Sequence, residues 1–337
     1  MKLASSIRVF MFAGGALLAG NAVAQQPIEL KLGTFTGPQH PVTAVLRETA
    51  ATAEKVTNGR VKVRVFDSGT LGTGPGTLDA VQRGVMDLGN YVWTYASMKR
   101  LPFLAIGGLP YVYRDGKGYA DAWEKDPYLL KTANEHVVEK GYDNVFFAAP
   151  YYSGFARIGF KTAEPKVPND IKNLKIRGTG TYNEIVESYG AVVVTIATPE
   201  VYGALERGII DGAVGLDTNW TNWRWMEQAK YLLDFAIAPV GGSIAVNKAA
   251  WSKISPEDQK KLEAYFQDVQ AGLNKYYQTL DETENRQLAT RMKIYRPTAE
   301  ERKLWGAPKN RIVGDWLAAV DPEQGKAAMA VIEKFNQ

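Results

Sequence analysis

Two arginines lie on short segments that otherwise have the composition of buried β-strands. Arg157 begins the segment RIGFK at 157–161, and Arg177 ends the segment LKIR at 174–177. Burying a guanidinium is costly unless an anion meets it, and its planar fork donates two parallel hydrogen bonds to a carboxylate. That anion is either a bound ligand or an Asp or Glu of the same domain. From the residues alone, the protein ion pair is favoured for Arg157 and ligand binding for Arg177.

The surroundings of Arg177 strengthen its assignment to a ligand. It stands at the carboxyl end of its predicted strand, where open α/β sheets place their ligands. A Gly-Thr-Gly turn at 178–180 and a predicted helix follow directly. The N-terminus of a helix offers N–H donors and a dipole that favours anions. We therefore expect Arg177 to bind a ligand carboxylate.

One short pattern occurs twice in the chain, as AVQRGVMD at 80–87 and as ALERGIID at 204–211. Each copy predicts a helix that ends at a glycine, followed by a buried strand and an aspartate. Chance is the alternative, because helix–glycine–strand turns are common in α/β proteins. Two related α/β lobes explain the matched positions better, and a cleft between two lobes is a favoured place for a ligand.

Aromatic segments follow both copies, YVWTY at 91–95 and DTNWTNWRW at 217–225. They should emerge at equivalent strand ends and face the same cleft, where Trp and Tyr rings would hold the body of a ligand. Packing in the core or hinge is the alternative, which we expect for at least half of the tryptophans in the second segment. His40, at the end of the first predicted strand, either lines the cleft or caps a helix. The ligand neighbours chosen from the two aromatic segments are Trp93, Tyr95 and Trp220, with Asp217 and Asn219 as polar contacts.

The remaining sequence alternates predicted strands and helices without a low-complexity linker. Crossing strands, and not a flexible tether, should therefore join the two lobes. A long helical pattern at 255–292 begins with a Ser-Pro-Glu start and is long enough to lie across both lobes. The predicted fold class is α/β.

The first 24 residues match a secretory signal peptide, which has a basic start, a short apolar run and small residues before the cleavage site. Lys2 and Arg8 supply the charge, and Ala22-Val23-Ala24 predicts cleavage after Ala24. A membrane anchor needs about 20 apolar residues, and the run at 9–20 is shorter. The mature chain is therefore expected to be exported and not embedded in a membrane.

The inventory of reactive side chains is small, with no cysteine and only two histidines, His40 and His136. The sequence therefore lacks the His and Cys residues that metal-site motifs require, and it contains no nucleophile motif. We therefore expect no metal, no cofactor and no catalytic residue. Without Lys2 and Arg8, the 40 basic residues fall to 38 against 36 acidic residues, a balance that argues against a nucleic-acid partner.

Six segments of the chain, several of them described above, resemble the periplasmic solute-binding proteins of tripartite ATP-independent periplasmic (TRAP) transporters, of the DctP type. The resemblance covers nearly the whole mature chain. The longest segment that carries it reads NLKIRGTGTYNEIVESYGAVVVTIATPEVYGALERGIIDGAVG. All the matching segments lie at 57–72, 84–89, 101–104, 109–113, 173–215 and 247–262.

The resemblance implies a two-lobed periplasmic binding protein fold, type II-like, with hinge strands and a long helix across the lobes. It implies a first lobe at 27–153, completed by about 243–280, and a second at 154–242, completed by about 281–335. Such a protein captures a small organic acid in the periplasm and delivers it to TRAP membrane subunits for ion-driven uptake. It is expected to be a monomer and not an enzyme. Presentation of the ligand to a sensor receptor is the alternative function, and a periplasmic enzyme of two-lobed form is less favoured still.

The resemblance also assigns site residues. The principal carboxylate-binding arginine of the family falls on Arg177, and a second arginine, 20 residues earlier, falls on Arg157. Many relatives that bind sialic acid or dicarboxylates carry Asp-Gly-Gln-Glu-Asn after the second repeat, and this Asn helps to bind the carboxylate. Here 211–215 reads DGAVG, so that amide is missing. We therefore expect a less polar acid, aromatic or branched, beside an apolar wall formed by 213–215.

Overall fold

The computed structural model describes residues 26–96 and 98–337, apart from the side chains of 281–285. The predicted signal peptide lies outside the described residues. Within them, the strands are β1 (Ile28–Gly33), β2 (Val61–Phe66), β3 (Leu88–Val92), β4 (Val145–Phe160), β5 (Lys175–Arg177), β6 (Val192–Val194), β7 (Gly212–Gly215), β8 (Tyr231–Asn247) and β9 (Lys293–Tyr295). The α-helices are α1 (Pro41–Val56), α2 (Thr77–Gln82), α3 (Gly116–Glu124), α4 (Pro127–Glu139), α5 (Thr181–Ser188), α6 (Val201–Glu206), α7 (Asp217–Asn222), α8 (Lys248–Trp251), α9 (Pro256–Ala289), α10 (Ala299–Gly306), α11 (Lys309–Ala319) and α12 (Pro322–Phe335).

All the described strands belong to one sheet, in the order β2-β1-β3-β8-β4-β7-β5-β6, with β9 beside β8. The antiparallel neighbours β4 and β8 form its centre and are 16 and 17 residues long. β3 pairs with β8 at 242–246, whereas β7 pairs with β4 at 157–160. The first lobe, built on β1, β2 and β3, is thus attached at one end of the central pair. The second lobe, built on β5, β6 and β7, is attached at the other, which confirms the two-lobed α/β fold with crossing strands.

The two copies of the repeated pattern occupy equivalent places in the two lobes. In each lobe a short helix, α2 or α6, ends just before a glycine with a positive φ of 72° or 68°. The aspartate that follows accepts a hydrogen bond from the neighbouring parallel strand at 2.8 Å, Asp87 from the backbone N–H of Lys31 and Asp211 from that of Lys175. The same side-chain contact therefore ties each copy into its own lobe.

Helix α9 is the long helix that the sequence predicted. The side chain of Ser255 caps it by accepting the N–H of Asp258 at 3.2 Å, and Pro256 occupies the first position, as is typical of a helix start. It packs on α1 of the first lobe, on β4, and on α7 of the second lobe. α9 is long but highly charged, and no helix in the described ranges combines the length and apolar character needed to cross a membrane.

The last two helices, α11 and α12, lie against the part of the chain between β3 and β4. α12 packs on α3 and α4, which precede β4. Trp316 of α11 is fully buried and donates its indole N–H to the carbonyl of Pro102 at 2.8 Å. Residues 309–335 therefore pack on the part of the chain between β3 and β4, where their large apolar side chains are buried. In contrast, β9 pairs with β8 at 231–233, at the end where the second lobe is attached.

Candidate functional site

A cavity of about 550 Å³ lies between the two lobes, at the carboxyl ends of β1, β3, β5 and β7. Both lobes, both central strands and α9 contribute to its walls. Hydroxyl groups and aromatic rings predominate among the lining side chains. The lining residues are Phe35, Thr36, His40, Val92, Thr94 and Tyr95 from the first lobe, Arg177, Thr179, Tyr182, Thr198, Leu216, Thr218, Asn219 and Trp223 from the second, and Ser153, Val240 and Tyr277 from β4, β8 and α9.

Arg177 ends β5 and is only 3% exposed. Three of its N–H groups are used within the second lobe: Nε donates to Ile196 O, Nη1 to Val214 O and Nη2 to Thr198 Oγ1, at 3.1–3.2 Å. Since a guanidinium has five N–H groups, one on Nη1 and one on Nη2 have no partner among the described residues. No carboxylate of these residues forms an ion pair with Arg177.

The electrostatics of Arg177 favour an anion in the cavity. Burial lowers the pKa of its guanidinium, although arginine remains charged at neutral pH. Its guanidinium carbon lies 5.6 Å from the centre of the Trp225 ring, which offers a cation–π contact. One N–H group remains on each of the two terminal nitrogens, and a guanidinium can use both of these nitrogens to bind the two oxygens of a carboxylate. A buried cation without a counterion is costly, so a ligand carboxylate would complete this site.

Arg157 has the protein ion pair that the residues alone favoured. Its Nε and Nη2 donate to the two carboxylate oxygens of Asp217 at 2.8 and 2.5 Å. Its Nη1 donates to Asp234 of β8 at 2.9 Å. Arg157 does not line the cavity. Asp217, which we expected to contact the ligand, is thus engaged with this arginine, and burial raises its pKa although the guanidinium opposes that effect.

The two predicted tryptophans lie in the protein core. Trp93 is fully buried and stacks on Trp123 with ring centres 5.1 Å apart. Trp220 is fully buried and meets Trp225 edge-on at 5.4 Å. Neither lines the cavity, whereas Trp223 of the same segment does. The choice among these rings depends on how α7 is rotated against the sheet, which the residue pattern does not specify.

Three other predicted residues do come together in the cavity. Tyr95 lines it, and its hydroxyl lies 3.5 Å from Thr198 Oγ1 of the other lobe. His40 lines it and also caps α1, because its Nδ1 accepts the N–H of Val42 at 3.2 Å. Asn219 lines it, and its Oδ1 accepts the N–H of Leu216 at 2.9 Å. The amide N–H groups of Asn219 have no partner among the described residues and are available as donors.

The segment 213–215 does not form the apolar wall that we expected. Its residues are fully buried within β7 and do not line the cavity, and the carbonyl of Val214 holds Arg177. Leu216 is the first residue after the strand to reach the wall. Asn219, in the first turn of α7, does bring an amide to the cavity wall. The cavity is therefore more polar than the pattern at 211–215 suggested.

The lobes touch each other across the cavity. The ring of His40 lies 6.2 Å from that of Trp223, and a Cβ added to Gly180 would stand only 1.8 Å from the carbonyl oxygen of Thr94. Burial lowers the pKa of His40 to about 4, so the ring is neutral at physiological pH. Because Nδ1 of this ring accepts a hydrogen bond, its proton lies on Nε2.

Several lining residues had no signal in the sequence. Tyr277 lies far along α9 and reaches the cavity only because that helix crosses both lobes. Ser153 and Val240 lie on the central strands, where their neighbours are equally buried. Thr198 stands at the start of a short helical turn, and its hydroxyl accepts a hydrogen bond from Arg177. In the described part of the chain, no group of His, Asp and Glu side chains is arranged to hold a metal ion.

Comparison with known proteins agrees with this architecture. The family model for DctP, described as bacterial extracellular solute-binding protein, family 7, matches residues 32–316. The C4-dicarboxylate-binding periplasmic protein DctP of Rhodobacter capsulatus is 24% identical over 288 residues, which cover 83% of this chain and 84% of that protein.

Solved structures share the fold at low sequence identity. A TRAP periplasmic solute-binding protein of Anaerococcus prevotii, with bound α/β-D-glucuronate, has a TM-score of 0.83 at 19% identity, covering 91% of this chain and 98% of that one. DctP6 of Bordetella pertussis, an extracytoplasmic solute receptor binding pyroglutamic acid, has a TM-score of 0.82 at 21% identity, covering 91% and 99%. The chain therefore belongs to the DctP family of bacterial extracellular solute-binding proteins, family 7.

Proposed function

We propose that this protein captures a small organic acid in the cavity between its lobes and delivers it to the membrane subunits of a TRAP transporter. The observation that carries the proposal is Arg177, a buried cation in the cavity with one N–H on each terminal nitrogen left for a ligand. The bound glucuronate and pyroglutamic acid of the two structural neighbours support a carboxylate as its partner.

Binding and lobe closure are one process in this proposal. The carboxylate is held by Arg177 of the second lobe, while Tyr95 and His40 of the first lobe contact the body of the ligand. Only the closed arrangement satisfies contacts from both lobes, so the ligand shifts the population toward it. β4 and β8 cross between the lobes and serve as the hinge, and the membrane subunits then distinguish the closed form from the open one.

The remaining assignments belong to the same proposal. The chain is exported to the periplasm by residues 1–24, cleaved after Ala24, and acts as a monomer without catalysis. The first lobe comprises 27–153 with about 243–280, and the second comprises 154–242 with about 281–335. The packing of α12 on α3 and α4 favours adding 309–335 to the first lobe.

Mass spectrometry of the acid that co-purifies with the protein, followed by a thermal-shift screen of organic acids, tests the proposal. We expect at least one carboxylate to raise the melting temperature in a saturable way and to be recovered unchanged after incubation. X-ray scattering should show a smaller radius of gyration with saturating acid than without it. Absence of binding by every acid, or chemical turnover of the bound one, would contradict the proposal.

A further inference from the structure

The two arginines that the family pattern pairs are close neighbours in the sheet. Arg177 on β5 is in register with Ala213 of β7, and Arg157 on β4 is in register with Gly215 of the same strand. Residues two apart on a strand share a face, so both arginines project from one face of the sheet. Two strand spacings and two residues along the strand put their Cα atoms roughly 12 Å apart. A cation at each position would suit the two ends of a dicarboxylate.

In this chain the second cation is neutralised. Arg157 contacts two carboxylates, those of Asp217 and Asp234, through three of its nitrogens. Its side chain is 6% exposed, and those of the two aspartates are 17% and 28% exposed. Asp234 also accepts a hydrogen bond from Nε of the exposed Arg296 at 2.8 Å, so the four side chains together carry no net charge. Arg177 remains the charged residue among those that line the main cavity, since His40 is neutral there.

The space next to the main cavity ends at one of these aspartates. A smaller pocket lies next to the main cavity and shares Ser153, Leu216, Thr218 and Tyr277 with it. We call it the annex. Asp217 lines the annex, and Arg157 does not. A ligand held by Arg177 that extends past Leu216 thus approaches a carboxylate and not a guanidinium.

We propose that Asp217 makes this site selective for monocarboxylates. Its carboxylate occupies Arg157, so the annex offers no free cation, and its oxygens line the place where the second carboxylate of a dicarboxylate would have to lie. Like charges brought together in a poorly hydrated site repel strongly, whereas a methyl, hydroxyl or amide group at the same place is tolerated. This inference rests on the proposed function, because it names the class of acid that the Arg177 site accepts.

The test compares acids that differ by one carboxylate, measured by calorimetry at pH 7.5. Suitable pairs are lactate with malate, valerate with glutarate, and benzoate with terephthalate. For each pair whose monocarboxylate binds, the wild type should prefer it by more than about 100-fold. Asp217→Asn should reduce that preference by at least about tenfold while it retains binding of the monocarboxylate.

The matched control is Asp234→Asn. It removes one carboxylate from Arg157 and from the exposed Arg296 but leaves the annex carboxylate in place, because Asp234 does not line the annex. Asp234→Asn should therefore keep most of the wild-type preference. Wild-type protein that binds dicarboxylates as tightly as their partners would overturn the inference and leave the proposed function standing. An unchanged preference in a folded Asp217→Asn variant would overturn it too, and failure of every acid to bind would contradict both proposals.

Discussion

Replacing Arg177 by lysine separates the effect of the guanidinium fork from that of charge alone. Lysine keeps one positive charge, but its ammonium is a single point and cannot make two parallel hydrogen bonds to a carboxylate. In the wild type, three N–H groups of Arg177 fix the side chain to Ile196, Val214 and Thr198. The two that remain form the binding fork, and a lysine would have to satisfy the same protein acceptors with fewer donors.

The expected loss of binding affinity follows from the hydrogen bonds to the ligand that each variant loses. A hydrogen bond to a charged group contributes about 1.5–3 kcal/mol, so losing one of the two bonds to the ligand should weaken binding by roughly 10- to 150-fold. Arg177→Ala removes the charge as well and leaves the ligand carboxylate buried and unpaired. That change should cost about 2–5 kcal/mol. The affinities should therefore fall in the order wild type, Arg177→Lys, Arg177→Ala.

Calorimetry with the acid that gives the largest thermal shift measures this series. The control is Arg311→Lys, because Arg311 is exposed on α11 and pairs only with Asp315 one turn away among the described residues. Its affinity should match that of the wild type. Circular dichroism and melting curves confirm that each variant is folded. If Arg177→Lys binds the acid within threefold of the wild type, a bidentate role for Arg177 is refuted.

Three further predictions address lobe closure, the aromatic wall and pH. Gly180→Ala should weaken ligand binding at least about tenfold, since its methyl group would collide with the carbonyl of Thr94 in the opposite lobe. The control is Gly59→Ala, which introduces the same kind of strain at a positive φ but has open space around it. Equal affinities for both variants would contradict the contact. Ligand binding should change the intrinsic fluorescence, and Trp223→Phe should remove most of that change because Trp223 lines the cavity; an undiminished change would assign the signal to another tryptophan. Burial lowers the pKa of His136 to about 4 from its usual 6.5, so the folded state resists protonation and loses stability as the pH falls from 6.5 toward 4. At pH 5 that loss is roughly 2 kcal/mol, and urea titrations should show it reduced in His136→Gln, with an identical pH dependence in both proteins counting against the effect.

Local patterns in the sequence were sufficient to predict the secondary structure that surrounds the site. The strand that ends at Arg177, the glycine turn after it and the helix that follows are encoded within about a dozen consecutive residues, and the structure contains each of them. The helix end in each repeated unit was equally predictable, because its glycine ends the helix that directly precedes it. The start of α9 was predicted for the same reason, since a Ser-Pro cap involves only adjacent residues.

Tertiary structure decided which side chains reach the ligand and which charges are neutralised. The partners of Arg157 lie 60 and 77 residues away along the chain, so no spacing rule could identify them. Trp220 and Trp223 are three residues apart in one short segment, yet one is core and the other lines the cavity. Periodicity constrains which residues share a face of an element, but the face that is covered depends on the element packed against it. The sequence alone therefore determined the two-lobed fold and the position of Arg177 at a strand end. The charges and side chains that surround the cavity depend on contacts between segments far apart in the sequence, which only the tertiary structure shows.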